Sequence, residues 1–274
     1  MLVSVRDRIV AALTPSLQPQ VAWSAPPLRE PSRRATMSAN QTHEEGHFAT
    51  TFERKYYHRG RAFIKRSLRP HEYRTGHRGL HIPPLNKERL LNEAESLHFI
   101  KQHTDAPVPA VHCHFEDDGT YYLITEYVDG VNMSDLPEAG KAVVRRELET
   151  QLAKLKALKS SRLGGPSGLV IPPYRVLRRA ETDHHCWDPT QRRLSSHETE
   201  YVFCHNDLSQ QNVIVDLDTL KINAIIDWEY AGFFPARFEY RFYRRLGPSA
   251  AIDGEADDSL DLLNFLLSGR VATS

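Results

Sequence analysis

The stretch FCHNDLSQQNVIVD, residues 203–216, places His205, Asp207 and Asn212 at fixed short intervals just before a β-branched run. Those residue types suit one chemistry well. A hydroxyl that attacks a phosphate needs a carboxylate to hold it in line and take its proton, and Asp207 is placed to do so. The charge on a triphosphate calls for Mg²⁺, which prefers oxygen ligands and takes only one or two from protein. Asn212, five residues past Asp207, offers an amide oxygen where the loop folds back. Asp227 stands fifteen residues past Asn212, at the end of the next strand-like run, INAIID, and is the candidate for the second ligand. Asp207 and Asn212 read as plain turn residues are the bland alternative, since both types favour turns.

The elements that must carry these residues are legible from pattern. YVFCH, NVIVDL and INAIIDW are short strand-like runs, and DLDTLK turns the second into the third, making a hairpin. Further upstream, RAFIK (61–65) and YYLITEYV (121–128) read as strands. Between them NKERLLNEAESLHFIKQH (86–103) reads as a helix, with Leu90, Ala94 and Leu97 on one face and Asn86 as its cap. DAPVPAV stops that helix, because proline lacks an N–H and restricts its predecessor. Residues 69–84 have no period and read as a loop. After VDG (128–130) a long amphipathic helix is expected over 138–160, its apolar face formed by Val144, Leu148, Leu152, Leu155 and Leu158. A Gly/Pro-rich stretch and a polar region without period run from there to about residue 199. The C-terminal DDSLDLLNFLLSG reads as helical. Strands with one helix, a short connector, then a mostly helical half holding a small hairpin, make an α+β fold of two lobes.

Bulk composition narrows the classes. Of 274 residues, 40% are hydrophobic and 26% charged, which suits a globular protein with one large domain or two lobes. Lys+Arg and Asp+Glu are both 35, so no basic surplus points to nucleic acid. Cys113, Cys186 and Cys204 are odd in number and far apart, which fits a reducing compartment rather than a disulfide framework. No apolar run approaches the roughly 20 residues of a membrane span. Residues 1–40 hold five prolines and five arginines against Asp7 and Glu30. A disordered extension over 1–45 is expected, with an Arg-rich, acid-poor mitochondrial leader as the minor alternative to a cytoplasmic chain.

HNDLSQQN followed by IIDWEYAGFFP resembles the aminoglycoside phosphotransferase and choline kinase branch of the protein-kinase-like fold, and the layout RAFIK, NEAESL, PVPAV, YLITEYVDG resembles fungal members of that family. The resemblance spans roughly residues 50–245. It implies a bilobal fold, with a small β-rich N-lobe over 46–127 that binds nucleotide and a larger, mostly helical C-lobe over 128–274. It implies an ATP- and Mg²⁺-dependent transfer of the γ-phosphate to a hydroxyl of a small molecule, by a monomer or homodimer. Carried over by position, Asp207 is the base, His205 the brace, and Asn212 and Asp227 the magnesium ligands. Lys65 contacts the α- and β-phosphates and Glu93 orients it; Glu95 is the competing choice, set aside because glutamate leads the E-A-x-x-L pattern. The Glu126 carbonyl and Val128 N–H meet the adenine edge.

The departures are informative. Asn206 stands where protein kinases have arginine, and no A-P-E triplet follows Asp227; both point away from a protein kinase. No glycine-rich loop precedes Lys65, the stretch FERKYYHRGR offering only Gly60, which favours the alternative of a weak or inactive kinase-like binding protein. His184-His185-Cys186 reads as a polar loop rather than a metal site. The acidic stretch from Asp253 to Asp258 reads as the negatively charged start of the last helix, with a contact to a cationic substrate as the alternative. Glu229 is placed to face the magnesium water shell or the substrate.

Overall fold

The computed structural model describes residues 44–77, 79–182, 187–190 and 200–268. The expected extension and the His184-His185-Cys186 run lie almost wholly or wholly outside them. Glu44, the first described residue, is already bound, its carboxylate 3.0 Å from Lys55 Nζ.

Five antiparallel strands form the first sheet: β1 (His47–Thr50), β2 (Arg54–Arg59), β3 (Ala62–Ser67), then β6 (Val111–Asp117) and β7 (Thr120–Glu126), in the order β1-β2-β3-β7-β6. Between β3 and β6 run the two-residue ladder β4 (Thr75–Gly76) and β5 (Gly79–Leu80), and the helix α1 (Asn86–His103). The period read from the sequence is correct for α1: Leu90, Ala94, Leu97 and Ile100 are buried against Tyr121 and Leu123 of the sheet. Its cap is not Asn86. Leu85 occupies the cap position in the left-handed region, and the Asn86 side chain is drawn off to Arg54 and the Leu68 carbonyl.

The connector after β7 carries β8 (Val131–Asn132), which adds a third strand to the expected hairpin of β11 (Val213–Val215) and β12 (Ile222–Ile225). Gly130 sits at φ 140°, and a Cβ there would lie 2.6 Å from the Val215 carbonyl oxygen, so this close approach requires glycine. The helix α2 (Glu138–Ala157) buries Val144, Leu148, Leu152 and Leu155 as expected but stops before 160. Lys159–Ser160 is instead a strand, β9, which joins β10 (Tyr201–Cys204) and β13 (Gly232–Phe234) in a second small sheet.

The region read as lacking a period contains a helix, α3 (Tyr174–Thr182). It buries Val176, Leu177 and Ala180; Val176 and Ala180 pack in one cluster with Leu262 and Leu266 of α4 (Ser259–Ser268). Three arginines in nine residues hide its short apolar stripe in the sequence. The main core runs through the whole molecule, joining α1 and the first sheet to α2, Phe203 and Trp228.

Candidate active site

Strand pairing explains how Asn212 and Asp227 meet. Val213 on β11 opposes Ile225 on β12, and the Ile226 N–H donates to the Asn212 carbonyl at 3.0 Å. Asp227 is therefore one residue past the hydrogen bond that ties Ile226 to Asn212. It sits at φ 63°, a left-handed conformation uncommon outside glycine and enriched at functional sites. The buried strand β10 delivers His205, and Asn206 turns the chain at φ 69°, a region asparagine tolerates better than most residues. The Asn206 amide donates to the Tyr230 carbonyl at 2.8 Å, tying this loop to the segment that follows Asp227.

His205 has no exposed surface, and burial pushes its imidazole down to about 4, so the ring is neutral. Its Nε2 lies 2.9 Å from the Ile226 carbonyl and its Nδ1 is 3.2 Å from the Asp207 N–H. A neutral ring satisfies both as the Nε2–H tautomer, donating to Ile226 and accepting from Asp207. His205 is thus a strut between the two loops. The Asn212 Nδ2 donates to the Asp207 carbonyl at 2.7 Å, which leaves its Oδ1 as the end presented to the cleft. Burial pushes the Asp207 carboxyl up to about 7, helped by the charges of Glu229 and Asp227 and opposed by the neighbouring Ser249 hydroxyl and by Arg175.

Lys65 and Glu93 form the ion pair expected of them, at 2.6 Å. Glu95 does not take part. Lys65 also touches the Asp227 carboxylate directly, so it bridges the first sheet to the lower half. Two carboxylates hold the ammonium in its charged form, raising Lys65 against the effect of burial. Burial raises Glu93, and Lys65 opposes that.

Lys65, Glu93, Asn212 and Asp227 line one cleft together with Tyr56, Phe63, Leu97, Ile214 and Glu126 to Val128; Asp207 and His205 are not among the residues that line it. The Glu126 N–H and side chain are both engaged with Ala110. The Val128 N–H donates to no backbone carbonyl among the described residues. Where a glycine-rich loop was sought, the β1–β2 turn is Thr51-Phe52-Glu53, closed by the Thr51 hydroxyl accepting from the N–H groups of Glu53 (3.2 Å) and Arg54 (3.0 Å).

Arginines hold Glu229: Arg54 (3.1 Å) and Arg89 (2.9 Å) grip its two oxygens, partners that carry no signal in the sequence. Burial alone would raise its carboxyl, but the two guanidiniums hold it down at about 2. Asn92 donates to the carbonyls of Glu229 (3.1 Å) and Ala231 (2.9 Å). Arg175 on α3 donates to the Asn206 carbonyl at 3.2 Å and to that of Phe238 at 3.0 Å, while Asp258 holds its far side at 2.8 Å. Three of the four acids in that stretch are committed: Asp258 to Arg175, Glu255 to Arg245 at 2.7 Å, and Asp257 to the N–H of Ser259 at 2.9 Å, while Asp253 is exposed. That matches the helix-start reading, with partners rather than solvent for three of its charges.

The sequence model of the phosphotransferase enzyme family (APH) matches residues 41–241. The chain belongs to that family. The expectation of a small-molecule phosphotransferase with a bilobal, kinase-like α+β fold therefore holds. No curated protein matches the sequence closely enough to count as a relative. Among solved structures, the phosphotransferase is similar to the aminoglycoside phosphotransferase APH(4)-Ia, with 18% identity, 72% of this chain and 70% of that one covered, and a TM-score of 0.45. It is similar to an aminoglycoside 2'-phosphotransferase-IIIa variant solved with GDP, with 13% identity, 73% and 70% covered, and a TM-score of 0.48. It is also similar to APH(3'')-Id from Streptomyces rimosus, with 15% identity, 66% and 69% covered, and a TM-score of 0.45. No helix among the described residues is long and apolar enough to cross a membrane.

Proposed function

We propose that this phosphotransferase moves the γ-phosphate of ATP, bound with Mg²⁺, to a hydroxyl of a small molecule such as an amino sugar, a choline-like amino alcohol or a secondary metabolite. One observation carries the reading: Lys65, Glu93, Asn212 and Asp227, scattered along the chain, line a single cleft together with Glu126–Val128. The proposed lobes, 46–127 and 128–274, meet at Glu126–Val128.

The adenine edge pairs with the Glu126 carbonyl and the Val128 N–H. Lys65, kept charged and aimed by Glu93, contacts the α- and β-phosphates. Asn212 and Asp227 fit a magnesium ion, being an amide and a carboxylate in one cleft, and the Asp227 carboxylate already draws a cation in Lys65. Bound there, the ion supplies charge neutralisation for the phosphates. Asp207 holds the acceptor hydroxyl in line and takes its proton at a carboxylate oxygen; burial has raised its basicity for that step. His205 and the Asn212 amide fix the loop carrying it. The rate then comes from positioning and charge, with no covalent intermediate on the enzyme.

One feature favours the weak or inactive alternative: the β1–β2 turn has no glycine and carries the Glu53 carboxylate. Asp207→Asn decides between them. Phosphate transfer from ATP to a panel of hydroxyl acceptors is expected to fall by about 10²–10⁴-fold with ATP binding retained. Equal turnover in the variant, or no acceptor-dependent turnover in the wild type that binds ATP, contradicts the proposal.

A further inference from the structure

Away from the cleft, Glu95 and His98 sit one helical turn apart on α1, and His114 rises to them from β6, the edge strand of the first sheet. One ligating atom from each lies within 4.8 Å of the other two, and all three residues are partly buried. Glu95 is two positions from Glu93, about 200° around the helix, so the cluster faces away from Lys65.

The donor atoms are available. His114 Nδ1 is 2.6 Å from the Tyr121 hydroxyl. Its Nε2 stops 3.8 Å from Glu95 Oε1, beyond hydrogen-bond range. The Tyr121 hydroxyl oxygen is placed to accept from Nδ1–H. That tautomer leaves the Nε2 lone pair directed at the carboxylate, the arrangement in which metal-binding histidines are held by a partner on the other nitrogen. The His98 ring completes the set, its centroid 5.7 Å from that of His114.

We propose that Glu95, His98 and His114 bind a divalent transition-metal ion, with Zn²⁺ the best match, and that the ion ties α1 to β6. Two imidazoles and a carboxylate are a three-ligand zinc set that leaves a fourth position for water. Bonds of about 2.0–2.1 Å in a tetrahedron put ligand atoms roughly 3.3 Å apart, so the cluster closes by about 1 Å or a little more through side-chain rotation. The helix cross-linked this way is the one that carries Glu93 to Lys65, so the ion would fix the height of that helix against the sheet.

The test uses Zn²⁺ alone and the full chain, without nucleotide or acceptor. Calorimetry and Co²⁺ visible absorption are expected to show one tetrahedral site in the wild type. Zn²⁺ is expected to slow hydrogen exchange of amides in α1 and β6. His114→Ala abolishes that site. Tyr121→Phe, which keeps the ring and so the packing, weakens it by roughly tenfold or more. Glu95→Gln, a change at a half-exposed position, also weakens it and guards against a folding defect in the histidine variant. Zn²⁺ binding of equal strength in wild type, His114→Ala and Glu95→Gln, or protection that falls outside α1 and β6, overturns the proposal.

Discussion

Asp207 meets two opposing demands. Its burial and the carboxylates nearby raise its proton affinity, and its proposed task needs the ionised form near neutral pH. The consequence for rate is direct: kcat/KM should climb with pH through about 7 as the carboxyl loses its proton. The consequence for stability has the opposite sense. The unfolded carboxyl titrates at about 3.9, so between there and about 7 the folded chain holds a proton that the unfolded chain has lost. Raising the pH through that window costs stability. Asp207→Asn, which cannot ionise, should therefore match the wild type in Tm near pH 4 and exceed it at pH 8, in the absence of ligand. A Tm difference that does not change with pH would contradict this account. At this scale the proposed reacting set was the most legible part of the sequence. Asp207, Asn212 and Asp227 are held by a loop and a hairpin, so their sequence spacing is close to their spatial spacing. Arg175 was not legible, because an arginine that braces a carbonyl from a distant helix looks in sequence like any surface arginine.

The helix α1 shows the same limit for an element. Its bounds and its apolar face followed from period alone. Its second face, Arg89, Asn92, Glu93 and Ser96, is also buried, and a polar face gives no sign in the sequence that it is turned inward. There Arg89 stacks 5.1 Å from the Tyr230 ring and binds both Glu53 and Glu229. The helix thus reads the position of the strand end that holds Asp227. Arg89→Ala would leave Glu53 without its partner and Glu229 with Arg54 alone, a loss toward the low end of the roughly 3–5 kcal/mol that breaking a buried pair from one side costs. Chemical denaturation should show that loss, and a second change, Glu229→Gln, should recover part of it. No recovery would mean that Arg89 acts by packing instead. The helix α3 went unread because a nine-residue segment offers too few turns for a stripe to emerge from its charges.

Across the whole molecule, Lys65 is the crossing point. It belongs to the first sheet, is held by Glu93 of α1, and touches Asp227 of the lower half. A nucleotide–magnesium complex in the cleft competes with Lys65 for the Asp227 carboxylate and offers Lys65 its phosphates in exchange. Binding should therefore depend on the metal and on Asp227 together. The direct measurement is calorimetric titration of ATP with and without Mg²⁺ into the wild type and into Asp227→Asn, which keeps the side-chain shape. Magnesium is expected to tighten ATP binding to the wild type and to have little effect on the variant. The same magnesium dependence in both proteins would contradict the placement of the ion between Asn212 and Asp227, and with it the reading of this cleft as the phosphate-transfer site.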